Sequence, residues 1–169
     1  SYSGRYLDSI FDIFLNFFFL LAIWKVTNIP FWMMLLAFFC IQLQGTLYNY
    51  YYVILRNRFN GDTTSRVFED KTPIALEGEN QQHVTLLFRL YKLLYGVFDQ
   101  VIYSLDSNAD KGSILPNWLM TCISTFGLGF QLLIISTLLV IGLKSIIIPF
   151  FIFYTFMIFI FIGIRKIFY

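Results

Sequence analysis

The chain has 169 residues, of which 58% are hydrophobic, 21% aromatic and only 13% charged, against roughly 45–50% apolar and about 25% charged in soluble domains. With a mean hydropathy of +0.70, this composition excludes an ordinary soluble domain, a disordered chain and a coiled coil, and points to lipid as the main solvent. The net charge of +2 is small and the Lys and Arg are scattered, which speaks against nucleic-acid binding.

The gaps between charges predict the membrane helices, because a charge at the bilayer centre costs about 2.5–3.5 kcal/mol. Four spans follow, at 6–27, 30–53, 116–141 and 145–166, giving an all-α polytopic membrane bundle in one membrane domain. Pro30 opens the second span, where a missing N–H costs little, and Pro149 falls in the first turns of the fourth. Cys40 and Cys122 lie in apolar runs, indicating neither a disulfide framework nor a zinc site. Residues 56–111 carry fifteen of the twenty-two Asp, Glu, Lys and Arg and form an insert outside the bilayer. Within it, 83–105 reads as an amphipathic helix lying on the membrane surface or against the bundle. Leu87, Leu90, Leu94, Val97, Val101 and Leu105 form its apolar stripe, with Arg89, Lys92, Asp99 and Gln100 on another face.

If the spans alternate, ten of the twelve Lys and Arg share one side, and only Lys25 and Lys144 lie on the other. The positive-inside rule then places the chain start, the 56–111 insert and the C-terminal end in the cytoplasm. Trp24, Trp32, Trp118 and Tyr50 to Tyr52 fall near the boundaries, as aromatic belts do.

Asp8 and Asp12 are the only acidic residues in any predicted span. Four residues apart on a helix, they project about 40° apart around the axis and share one face. Gly4 lies one turn before and Asn16 one turn after. Such a pair suits a hard divalent cation, Mg²⁺ or Mn²⁺, that takes few carboxylates and completes its shell with substrate phosphates. Arg56 and Arg58 at the end of the second span, and Arg66 beyond it, are candidate phosphate contacts; each equally fits positive-inside anchoring.

The run Gly4-Arg5-Tyr6-Leu7-Asp8-Ser9-Ile10-Phe11-Asp12 resembles G-x-x-x-D-x-x-x-D, the second half of the signature of the CDP-alcohol phosphatidyltransferases, whose first half reads D-x-x-D-G-x-x-A-R. The resemblance implies a metal-dependent membrane transferase of phospholipid synthesis that moves a phosphoalcohol or phosphatidyl group from a CDP-linked donor to an alcohol acceptor, with release of CMP. It further implies Asp8 as a metal ligand, Asp12 as metal neighbour and general base, Gly4 as a point of close approach to substrate, a two-metal site and a homodimeric state. Only Ser1, Tyr2 and Ser3 precede Gly4, so the first half of the signature is absent. The chain is expected to be the C-terminal part of a longer enzyme, inactive by itself. Two other readings of the same residues are a transporter piece in which the aspartates bind a cation, and a non-catalytic membrane interaction protein.

Overall fold

The computed structural model describes residues 1–59, 61, 69, 71–112 and 115–169. Among them the chain is entirely helical, with no strand. Helix α1, Tyr2–Lys25, is capped by Ser1, whose Oγ accepts the Gly4 N–H at 3.2 Å. The Glu79 carboxylate accepts the next free donors, from Tyr2 at 3.1 Å and Ser3 at 2.7 Å, so a negative charge sits at the positive end of the helix dipole. A short turn leads to Pro30, the N-cap of α2, Phe31–Arg58, which therefore runs back antiparallel to α1.

Helix α3, Gln81–Leu105, starts where the Asn80 side chain accepts the Gln82 N–H at 2.8 Å. Helices α4, Asn117–Ser124, and α5, Leu128–Val140, are bent 51° from one another at a break that contains Gly127. The last segment divides into α6, Lys144–Tyr154, and α7, Met157–Phe168.

Among the described residues three helical segments are long and apolar enough to cross a membrane, Tyr2–Lys25, Phe31–Arg58 and, taking α6 and α7 together, Lys144–Phe168, and α4 with α5 makes a fourth if the bent pair is one span. The molecule is accordingly an all-α membrane bundle. Its exterior agrees with a lipid solvent, since Phe11, Phe18, Trp32 and Phe153 are each more than 60% exposed, which water would penalise heavily. One core joins α1, α2, α5 and α6 around Leu20, Met34, Ile41, Ile147 and Phe151. A second joins α2, α3, α4 and α7 around Leu47, Tyr51, Ile102, Leu119 and Phe161.

The placement of α3 distinguishes two apolar faces. Its buried residues are Val84, Phe88, Phe98 and Ile102, and with Tyr91 and Tyr95 these recur at helical spacing as an aromatic stripe. That stripe packs across α1 and α2: Tyr6 meets Phe88 and Tyr91, and Phe39 meets Phe98. Leu90, Val97 and Val101, from the stripe expected to lie on the membrane surface or against the bundle, are exposed beside Leu86 and Leu93. The helix is apolar over two faces; the one bearing large rings buries more area per residue and adds ring contacts, so it takes the protein and leaves the aliphatic face outward.

Candidate functional site

A cavity of about 480 Å³ opens between α1, α2, α3 and the α4–α5 break. Its depth follows α1: Asp8 is exposed, Asp12 half-buried and Asn16 buried, one helical turn at a time. On the antiparallel α2 the corresponding ladder runs from Arg56 and Asn49 at the mouth to Thr46 and Gln42 below. Gly127 allows the far wall to close. A Cβ on Gly127 would lie 3.1 Å from the Ser124 carbonyl and 3.3 Å from the Tyr48 ring, so any larger residue would push the break away from α2.

The mouth is charged. Arg5, Asp8, Asp12, Arg56, Glu69 and Asp99 all line it. Arg5 and the Tyr6 hydroxyl both donate to the Glu69 carboxylate, which ties Glu69 to the start of α1. The Tyr95 hydroxyl donates to the Ser9 carbonyl at 3.0 Å, and the Tyr91 hydroxyl donates to Oδ2 of Asp99 at 3.0 Å. Burial pushes the Asp99 carboxyl up to about 6; the Tyr91 hydrogen bond and Arg5 act against this, while the nearby Glu69 adds to it.

The residues singled out in the sequence separate into two groups. Asp8, Asp12 and Arg56 come together in the cavity, with Asn16 below them. Arg56 also lies over the Tyr52 ring and donates to the Gly61 carbonyl at 3.3 Å. Arg58 is elsewhere, donating to the carbonyls of Asp110 and Gly112, where it ties α2 to the loop after α3. Gly4 is exposed and does not line the cavity; the Ser1 hydroxyl lies 2.8 Å from where its Cβ would be, and no other helix comes within 4 Å. Arg66 lies outside the described residues.

Asp99, which shares no face with the aliphatic stripe, lines the cavity, because the inward stripe is the aromatic one and Asp99 lies two turns from Tyr91 on it. The signal was present as Val84, Phe88, Tyr91, Tyr95, Phe98 and Ile102, a three-four spacing with larger side chains than the aliphatic stripe.

Asp8 and Asp12 suit a divalent ion that keeps waters and takes substrate phosphates, as Mg²⁺ does. Among the described residues no three His, Cys, Asp or Glu side chains are grouped to hold an ion by themselves. No family model, curated protein or solved structure matches the chain.

Proposed function

We propose that the cavity is the site of a CDP-alcohol phosphatidyltransferase, facing the cytoplasm, in which a CDP-linked donor passes its phosphoalcohol or phosphatidyl group to an alcohol. The observation that carries this reading is the convergence of Asp8, Asp12 and Arg56 at the charged mouth of one membrane-embedded cavity, with the two aspartates at the spacing of the G-x-x-x-D-x-x-x-D pattern. The excess of basic residues at this end supports the cytoplasmic orientation.

In this reading Asp8 and Asp12 would hold Mg²⁺ or Mn²⁺, which would supply charge neutralisation for the donor pyrophosphate. Arg56 pairs with a phosphate oxygen at the rim. Asp12, the deeper carboxylate, takes the proton from the acceptor hydroxyl. The acceptor oxygen bonds to the phosphorus distal to cytidine, the bond from that phosphorus to the bridging oxygen breaks, and CMP departs with the electron pair.

Binding of CDP-diacylglycerol with Mn²⁺ in detergent tests the assignment. Binding that requires Mn²⁺ and weakens at least about tenfold in Asp8→Asn supports it. Metal binding indifferent to any CDP-linked lipid would favour ion passage instead, and metal that binds equally well in Asp8→Asn would contradict both readings.

A further inference from the structure

The deep end of the cavity is built differently from its mouth. Asn16, Gln42, Thr46 and Gln131 line it, all neutral and all more than nine-tenths buried. Gln131 is satisfied, since its Nε2 donates to the Ile41 carbonyl and to Oε1 of Gln44, both at 3.3 Å. Gln42 and Thr46, one turn apart on α2, are not: Nε2 of Gln42 and Oγ1 of Thr46 have no hydrogen-bond partner among the described residues. The Thr46 hydroxyl departs from the habit of this molecule, in which Thr121, Thr125, Thr137 and Thr155 each return the hydroxyl to a carbonyl three or four residues back. Two adjacent buried polar groups left unpaired destabilise the free protein and are explained by a ligand that pairs them.

We propose that this deep end binds a small uncharged polyol, whose hydroxyls pair with the Gln42 amide and the Thr46 hydroxyl. An amide N–H needs an acceptor and a threonine hydroxyl both gives and takes, so neighbouring hydroxyls on one ligand satisfy both. A quaternary ammonium offers no hydrogen-bond partner to either, and an anionic group would meet no cation at this depth. The assignment rests on the transferase reading for its role: the polyol is then the acceptor alcohol, seated below Asp12 with one hydroxyl directed up toward that carboxylate.

The test measures two affinities on the full chain in detergent: myo-inositol, glycerol and choline by ligand-observed NMR, and CDP-diacylglycerol with Mn²⁺ in parallel. Saturable binding of a polyol, with choline at least about tenfold weaker, is expected. Thr46→Val and Gln42→Met, which nearly conserve volume, should each weaken polyol binding at least about tenfold and change donor binding less than about twofold. Both variants should also raise the thermal midpoint of the ligand-free protein, whereas loss of a structural hydrogen bond would lower it. Polyol binding of this kind without donor binding would keep the proposed site and remove the transferase reading. Donor binding without polyol binding, choline binding as tight as polyol, or lowered midpoints in both variants would overturn the proposal and leave the transferase reading standing.

Discussion

The Tyr51 hydroxyl donates to Oδ2 of Asp106 at 2.7 Å, joining α2 to the end of α3 through two buried side chains. Arg165 of α7 donates to the other carboxylate oxygen, and the Tyr50 hydroxyl reaches the Asp106 backbone carbonyl at 2.7 Å. Three helices that frame one end of the bundle therefore converge on one carboxylate, and this fastening holds α3 in place as a cavity wall. Removing one partner strands a buried charge, so Asp106→Ala or Arg165→Met should each cost about 3–5 kcal/mol, and the double variant clearly less than the sum. Thermal unfolding of the four proteins in detergent checks this; single variants as stable as the parent would contradict it.

The cap that Glu79 places on α1 predicts an acid-labile contact. Hydrogen bonds from the Ser3 and Tyr2 backbone N–H groups hold the Glu79 carboxyl down at about 2 from its ordinary 4.5. A depressed carboxyl contributes stability that is complete above its unfolded pKa and disappears as pH falls through the folded one. The thermal midpoint of the parent should fall between pH 4.5 and pH 2 more steeply than that of Glu79→Gln. Equal slopes for the two proteins would show that the cap contributes nothing.

Asp99 titrates in the opposite sense. Burial raises its carboxyl from 3.8 to about 6, so its contribution to stability is complete at low pH and is lost as pH rises through about 6. The groups that face it are Tyr91 on its own helix, Arg5 on α1 and Glu69 of the insert. Asp99→Asn retains an acceptor for the Tyr91 hydroxyl, and should therefore gain stability relative to the parent above pH 6 and none near pH 4. A difference independent of pH would contradict the burial argument.

How much of this was legible beforehand differs between the spans and α3. The spans followed from gaps between charges, because the cost of a buried charge acts along the chain and needs no knowledge of partners. Pro30 at the start of α2 and the long apolar segment ending at Phe168 appear where those gaps placed them. The 51° break at Gly127 was not foreseen. It depends on the close approach of that glycine to Tyr48, a tertiary contact. In the site, Asp8, Asp12 and Asn16 were readable because helical spacing alone puts them on one face. Asp99, Glu69 and the unpaired Thr46 were not, since each owes its place to packing between helices distant in sequence.

The outward aliphatic face of α3 predicts contact with lipid. Leu86, Leu90, Leu93, Val97 and Val101 are exposed, and the exposed Arg89 and Lys92 lie beside them, an arrangement that suits the boundary between acyl chains and headgroups. Fluorophores on single cysteines at Leu93 and Val97, in liposomes, should be quenched by lipid-borne spin labels more strongly than by an aqueous quencher. Stronger aqueous quenching at both positions would place this face in water.

The central claim is that the Asp8 and Asp12 stripe performs phosphoalcohol transfer. Its most direct test is metal-dependent CMP release from a CDP-linked donor by Asp8→Asn, Asp12→Asn and Asn16→Ala, assayed in a chain carrying D-x-x-D-G-x-x-A-R ahead of Gly4. Asp8→Asn should lose donor binding and turnover together. Asp12→Asn should keep donor binding closer to the parent value while turnover falls by about 10²–10⁴, the usual contribution of a general base. Asn16→Ala, one turn deeper, should lose less than either. Near-normal CMP release by either aspartate variant, at normal expression, would contradict the assignment.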